Sequence, residues 1–565
     1  MLNTHMTMAE AFHQVAETRR RQVALACGES RCTYGELLDR THRLAWGLHN
    51  LGVNKGDRVA AFLSPGADYA CLFFALAEIG GVIIPLNPQL RPHSLNQVLD
   101  DANPLMLVVE QPIEQSSFTQ PPGLKHIILT AGEGGSTPTL DDLAAGGPGK
   151  RDEASRAFFA SEGEASSKLE PMSAKPPVEV LPEDLLALLY TSGTTGTPKG
   201  TMHSHRSLIT PVVASLKIRE LWLHRPNLKT IGQTAKALAR YKTRLLRAAG
   251  RPQTFLSTVG WHTISGVELM LQGLLMGDQI VVMPRFHPRL AMELIQREKV
   301  TILVAVPTAF QVMLSLEDFN KYDTSSLLIC GTGAMACPPD LARQIQERFG
   351  CAVHIGFGST ETAGGIAIPS IADSNELQAT TVGRPLPGVE VKILDDGRRE
   401  LPTGQVGELV CRGDSIMLGY YGHPDATSEV IDKEGWYSTG DLAMLDAKGY
   451  LHIMGRKKDM IIRGGQNIYP VEIETYLTSH PDIQEAAVVG APSVLSGEEA
   501  WAFIILKPGA EMSAQQVLDY CRVELEPYKI PNHVRFVTDF PRTETGKPQK
   551  YRLQSDILTE LGKDK

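Results

Sequence analysis

Thr191 to Gly200 reads TSGTTGTPKG, and the run before it, Leu185 to Tyr190, reads LLALLY. LLALLY is an apolar stretch of strand length. In the loop that follows, hydroxyls can donate to phosphate oxygens, glycines let the backbone approach them, and Lys199 brings positive charge. A Walker A loop needs Gly-Lys followed by Ser or Thr. Here Pro198 precedes Lys199 and Gly200 follows it, which disfavours the ordinary P-loop ATPase. The segment is expected to grip a nucleotide triphosphate. Read alone, it also suits a solvated Gly/Thr turn with a surface lysine.

Outward from this loop, helical and strand signals alternate. Tyr34 to Leu51 has apolar residues at helical spacing, and Arg58 to Leu63 reads as a strand. Leu72 to Ile79 predicts a helix, and Gly81 to Pro85 and Ile127 to Leu129 predict strands. Such alternation argues for a parallel sheet covered by helices. Further on, Thr301 to Val306 leads to Pro307, Leu327 to Cys330 leads to GTGA, and Val353 to Gly356 leads to a GST turn before Glu361. Open parallel sheets bind ligands in the crevice at such strand ends. VEVKIL and GELVCR, between Gly383 and Arg412, predict a small β-rich subdomain. The expected fold is α/β and multidomain. Residues 1–457 form a large domain with parallel-sheet subdomains, and residues 458–565 form a small mobile α+β domain with its own core. Residues 131–177, rich in Gly, Ser, Ala, Glu and Pro, are expected to be a mobile excursion.

Composition narrows the function. The 565 residues exceed one simple core, since domains usually run about 50–250 residues. A net charge of -9 gives no reason to expect nucleic acid. The eight cysteines include no CxxC pair, so neither a structural zinc site nor a disulfide framework is suggested. MLNTHMTMAEAF has neither the basic start nor the apolar core of a signal peptide, and Ala70 to Leu86 falls short of a membrane span. A cytoplasmic enzyme is expected.

More motifs follow in order. They are GFGSTE (Gly356 to Glu361), TVGRPLPG (Thr381 to Gly388), GELVCRGDSIMLGYY (Gly407 to Tyr421) and YSTGDL (Tyr437 to Leu442). GRKKDMIIRGGQNIYPVEIE (Gly455 to Glu474) and PRTETGKPQK (Pro541 to Lys550) complete the set. With TSGTTGTPKG, they resemble the adenylate-forming superfamily of acyl-CoA synthetases, aryl-CoA ligases, luciferases and peptide-synthetase adenylation domains. The likeness covers nearly the whole chain. One departure is Phe357, where the family usually carries tyrosine.

The resemblance implies ATP, Mg2+ and coenzyme A. Thr191, Ser192, Gly193, Thr194, Thr195 and Gly196 would cradle phosphates, with Lys199 on the β- and γ-phosphates. Thr360 and Glu361 resemble the magnesium pair, although Glu361 could equally satisfy a helix start. Gly333, Ala334, Phe357 and Gly358 would border adenine. Asp441 would accept from the ribose hydroxyls, with Arg456 reaching ribose or phosphate; a turn aspartate and a solvated arginine are the plain alternatives. Lys547 resembles the adenylation lysine, which bridges the carboxylate and the α-phosphate as charge develops. Lys458 matches the hinge. After rotation, Arg463, Gly464 and Gly465 would meet coenzyme A; RGG also reads as a tight β-turn. His262 would orient the acyl carboxylate, or else be a hydrogen-bonded core histidine. Trp261, Gly266, Val306, Thr308 and Thr332 would line the acyl pocket, with room near Gly266 for an alkyl chain.

Residues 211–251 depart from a compact member. Lys217 to Arg251 holds ten Lys and Arg against one acidic residue, Glu220. Leu228, Ile231, Ala235, Leu238 and Leu245 fall near one helical face, with Lys229, Lys236, Arg240, Arg244 and Arg247 on the rest. Peripheral membrane contact is one expectation. An arm packed on its own domain or on a second subunit of a homodimer is the preferred one. The expected activity is ATP-dependent acid:CoA ligation of medium- or long-chain fatty acids. The alternatives are an aromatic acid:CoA ligase, transfer to a carrier protein, and a nucleotide-responsive protein without activity.

Overall fold

The computed structural model describes residues 2–112, 118–131, 138–145, 176–191, 198–223, some positions of 232–248, and residues 250–493, 495–543 and 546–562. Local rules set the first helices. Thr33 accepts from the Glu36 N–H while Glu36 reaches back to the Thr33 N–H, so Tyr34–Asn50 begins with a capping box. Gly80, at φ 70°, ends Ala67–Ile79 in the left-handed region and turns the chain into Val82–Pro85. Val82–Pro85 and Met106–Val109 are buried along their whole length, as parallel strands covered on both faces should be.

Two seven-stranded sheets build the large unit. One runs in the order Gly419–Tyr420, Lys199–Ser204, Leu185–Thr191, Val82–Pro85, Arg58–Phe62, Met106–Val109 and His126–Leu129. The other runs Ala352–Ile355, Ile329–Thr332, Ile302–Val304, Thr254–Ser257, Gln279–Val282, Val23–Cys27 and Ser30–Thr33. The chain therefore crosses between sheets. Val23–Cys27 pairs on one side with its neighbour Ser30–Thr33 and on the other with the distant Gln279–Val282, Leu25 opposite Ile280. The buried Tyr34 hydroxyl fixes this crossing by donating to the Asp278 carbonyl at 2.7 Å. Both sheets are parallel at the centre and antiparallel at an edge.

The phosphate-loop motif sits at one such edge. Leu185–Thr191 pairs antiparallel with Lys199–Ser204, from Leu185 opposite Ser204 to Thr191 opposite Lys199. The motif thus joins two strands of one hairpin. Residues 192–197, with Ser192, Gly193, Thr194, Thr195 and Gly196, lie outside the described residues, as does the Thr191 side chain.

A four-stranded antiparallel sheet, Glu390–Leu394, Val406–Arg412, Tyr437–Leu445 and Leu451–Arg456, is the expected β-rich subdomain. The C-terminal unit has a separate core. Ile483–Ser493 and Gly497–Leu506 form a long antiparallel pair, joined by Ile461–Arg463, Gln466–Ile468 and His533–Phe536.

Three expectations need correction. Within 131–177, residues 138–145 are anchored: Leu140–Ala145 is a helix whose Leu140, Leu143 and Ala144 are buried. It lies so close to Gly47 that a Cβ there would come 2.3 Å from the Leu143 carbonyl oxygen. Residues 132–137 and 146–175 lie outside the described residues. The strand predicted at Leu327 to Cys330 runs Ile329–Thr332 instead, because parallel neighbours on both sides draw Gly331 and Thr332 into the ladder.

The third correction concerns the basic arm. Its buried positions are Ala237 and Tyr241, with Leu245 and Ala248 partly covered, whereas Ala235 is exposed. Leu228, Ile231 and Leu238 lie outside the described residues or have undescribed side chains. Arg240 donates to the Asp373 carbonyl at 2.7 Å, and Arg244 donates to the carbonyls of Thr324 and Leu327. Arg219 pairs with the buried Asp278 at 2.9 Å. These cations are spent on the arm's own domain. No helix among the described residues is long and apolar enough to cross a membrane.

Candidate active site

Lys199 opens the second strand of the phosphate-loop hairpin, and its Nζ lies 5.4 Å from the centre of the Tyr420 ring. The Tyr420 hydroxyl donates to Glu361 Oε1 at 2.9 Å. The Met417 N–H donates to the Glu361 carbonyl at 2.8 Å, and the Tyr421 N–H to the Gly200 carbonyl at 2.8 Å. The hairpin, the GSTE turn and the GYY strand therefore share one edge. His203 braces them from within: its Nε2 lies 2.8 Å from the Thr360 carbonyl, and burial lowers its pKa to about 4, so it stays neutral. Neither Tyr420 nor His203 was among the expected site residues. Both signals are tertiary, since nothing local marks a tyrosine or a histidine as a brace.

Asp441 and Arg456 face each other across Tyr437–Leu445 and Leu451–Arg456, with Arg456 Nε 2.9 Å from Asp441 Oδ1. Asp441 is only 8% exposed. Burial pushes its carboxyl up to about 6, against the opposing pull of Arg456 and Lys547. Lys547 arrives from the C-terminal unit. Its backbone is held by Thr543, whose N–H donates to the Lys547 carbonyl at 2.8 Å and whose hydroxyl accepts the Lys547 N–H at 3.1 Å. Lys547 is exposed. Desolvation by the surrounding protein and the Arg456 charge lower its pKa, while Asp441 and Glu361 oppose the shift. Lys547, Asp441, Arg456 and Glu361 thus act on one another across the cleft.

At the strand ends, Thr332 is buried and its hydroxyl oxygen has no hydrogen-bond partner in the protein. Ala334 adopts φ 65°, left-handed for a non-glycine residue. A Cβ on Gly333 would lie 2.8 Å from the Gly356 oxygen. Phe357 is half-buried and Gly358 exposed. An orphan hydroxyl beside a glycine-walled strand end fits a nucleotide. Thr360 and Glu361 offer the oxygen donors that Mg2+ prefers.

The acyl-pocket candidates divide. His262 is half-buried, and burial lowers its pKa to about 4; Gly260 lies against its ring, 2.4 Å from the ring Cε1 if it bore a Cβ. Val306 and Thr308, at the start of helix Pro307–Leu314, are half-buried. Trp261 is a core residue, 2% exposed, its carbonyl accepting from the Tyr69 hydroxyl at 2.7 Å. Gly266 leaves no channel: a Cβ there would fall 2.1 Å from the Gly260 oxygen, so the glycine serves close backbone packing.

Where the C-terminal unit begins, Lys458 lies in the turn Lys457–Asp459, and burial lowers its pKa. Gly464 and Gly465 have φ 57° and 80° and open space around them, the geometry of a two-residue hairpin turn. Arg463 donates to the Tyr528 and Ile530 carbonyls at 3.0 and 2.9 Å, so its guanidinium is anchored in the C-terminal unit.

Comparison with known proteins agrees with this geometry. Residues 12–421 match the AMP-binding enzyme family, and residues 472–547 match the AMP-binding enzyme C-terminal domain. A mitochondrial medium-chain acyl-CoA ligase of Mus musculus is 30% identical, over 94% of this chain and 84% of its own. A long-chain-fatty-acid–CoA ligase of Escherichia coli is 30% identical, over 98% and 95%. The structure of an anthranilate CoA ligase in complex with anthranoyl-AMP superposes with a TM-score of 0.82 at 25% identity, covering 99% of each chain. The chain belongs to the AMP-binding enzyme family and is an ATP-dependent acyl-CoA synthetase that uses ATP, Mg2+ and coenzyme A.

Proposed function

We propose that this enzyme activates a medium- or long-chain fatty acid, first as an acyl-adenylate and then as a thioester of coenzyme A. The observation that carries the reading is the edge on which Lys199 stands 5.4 Å from the Tyr420 ring and Tyr420 donates to Glu361, together with the Asp441–Arg456 pair at 2.9 Å. Lys547 would neutralise the carboxylate and α-phosphate as they approach, and Lys199 would take the charge of the departing pyrophosphate. Glu361, oriented by Tyr420, and Thr360 would hold Mg2+, which screens the phosphates. Asp441 would accept from the ribose, with Arg456 beside it. Gly333, Ala334, Phe357 and Gly358 would border adenine, with Thr332 at its edge. His262, neutral at pH 7, would orient the acid and not act as a base.

For the second step, the lid, residues 458–565, would turn about Lys458 and withdraw Lys547. The exposed Gly464–Gly465 turn would then approach the thiol, with Arg463 bracing its base. Attack by the coenzyme A thiolate on the acyl carbonyl expels AMP. The fatty-acid preference is supported by the names of the two ligases above. An aromatic acid is the second reading, favoured by the likeness to an anthranilate CoA ligase. The arm's bonds to Asp373, Thr324 and Leu327 support packing on its own domain over membrane contact.

The test is pyrophosphate release across fatty and aromatic acids, with and without coenzyme A, with products identified by mass. A CoA-dependent fatty acyl thioester is expected. Acid-dependent adenylate with no transfer to coenzyme A would overturn the acceptor and point to a carrier protein.

A further inference from the structure

Glu268 is a carboxyl group inside the domain for which adenylation has no use. It lies on helix Ile264–Leu275, the helix that starts just after His262. Its Oε2 accepts the Gly365 N–H at 3.2 Å, and its Oε1 accepts the Gln272 side-chain amide at 3.0 Å. Burial pushes its pKa up to about 7, against the Gly365 hydrogen bond. The residue nevertheless keeps some accessible surface.

Glycines shape its surroundings. A Cβ on Gly364 would lie 2.1 Å from Glu268 Oε2, so only glycine fits there. A Cβ on Gly365 would meet nothing but Glu268 Oε1, 3.5 Å away. Gly358 pairs with Gly365 and is itself exposed. A Cβ on Gly358 would fall 1.9 Å from the Gly364 oxygen, so that glycine is closely packed, whereas the face of Gly365 is open and the Glu268 carboxyl stands at its rim. Gly358 belongs to the same short segment as Thr360 and Glu361, which places this rim beside the site of activation.

Desolvating a carboxyl costs free energy that a pocket built only for an alkyl chain has no reason to bear. Each carboxylate oxygen has about two acceptor sites, and one protein donor is found on each here. A site built to hydrogen-bond a substrate donor also rejects the analogue that lacks it.

We propose that the acyl pocket selects carboxylic acids that carry a hydrogen-bond donor, a hydroxyl or an amino group, placed to meet Glu268. The inference rests on the acid:CoA ligase reading and narrows its substrate class.

The test uses the full-length enzyme and its Glu268→Gln and Glu268→Leu variants. Matched acids are compared: octanoate with its positional hydroxy and amino derivatives, and benzoate with its own. Acyl-CoA formation gives kcat/KM for each. The wild type is expected to favour a donor-bearing acid over its parent by about 10- to 100-fold, the worth of one charge-assisted hydrogen bond. Glu268→Leu should erase that ratio. Glu268→Gln should keep it for a hydroxyl and lose it for an amino group, which separates the two sources. A ratio unchanged in Glu268→Leu, or preference for the parent acid throughout, overturns the proposal.

Absence of any thioester from the wild type would instead sink the ligase reading. Glu268 is then judged by thermal shift with paired acyl-sulfamoyl adenosines. Greater stabilisation by the donor-bearing member, in wild type and not in Glu268→Leu, supports the subsite. Equal stabilisation overturns it.

Discussion

Asp441→Asn should make the ligand-free enzyme more stable and a poorer enzyme at once. Asp441 is 8% exposed, and its carboxyl titrates at about 6 against an ordinary 3.8. A carboxyl whose pKa is raised on folding prefers the protonated form in the fold. Its penalty is absent below pH 3.8, grows as pH rises between 3.8 and about 6, and is complete above that. At pH 8 the penalty is about 3 kcal/mol, from 1.36 kcal/mol for each pKa step. Asparagine removes the charge and keeps the shape. Arg456, whose side chain is 48% exposed, then turns its guanidinium to water at little cost. At about 2.1 cal/mol/K per residue, 3 kcal/mol should raise the melting temperature of the large unit by about 3 °C. Loss of a charged acceptor for the ribose should raise KM for ATP by about 10- to 100-fold. The assay is thermal unfolding of wild type and variant at pH 4.5 and pH 8, with ATP kinetics at pH 8. A variant less stable than wild type at pH 8, or a stability difference independent of pH, would refute the electrostatic reasoning.

Lys547→Ala should slow adenylation by at least about 100-fold, the scale of a lost transition-state charge contact, yet leave transfer from supplied acyl-adenylate to coenzyme A largely intact; comparable losses in both half-reactions would place Lys547 outside the first step. Tyr420→Phe removes the donor to Glu361 Oε1 and should weaken Mg2+ dependence of the rate by roughly 3- to 10-fold, read from a Mg2+ titration. The Glu78 side chain is fully buried, and its hydrogen bonds from His13 and His42 hold its pKa down although burial opposes them. Glu78→Ala should cost about 3–5 kcal/mol by breaking a buried pair, and the wild-type advantage, present above the unfolded value near 4.5, should fade as pH drops below it. Phe74→Ala, which empties the core against Phe12 at 4.0 Å between ring centres, should cost about 3–5 kcal/mol in denaturant unfolding.

Sequence alone determined which stretches are strands and helices near the N-terminus, since their apolar periods and caps are local. Tyr34 to Leu51 became Tyr34–Asn50, and Arg58 to Leu63 became Arg58–Phe62. It also determined the family, because the motifs run in order along nearly the whole chain. Tertiary structure decided what no window of residues contains. The pairing of Val23–Cys27 with a strand some 250 residues later depends on long-range register. Gly266 looked like room for a substrate and proved to be a close backbone contact, because the meaning of a missing side chain depends on what lies opposite it. The basic arm looked amphipathic, but its arginines found carbonyls of its own domain, a match set by geometry in three dimensions. Glu268 lies in none of the motifs. Only folding sets its carboxyl against Gly364 and within reach of the Gly365 N–H.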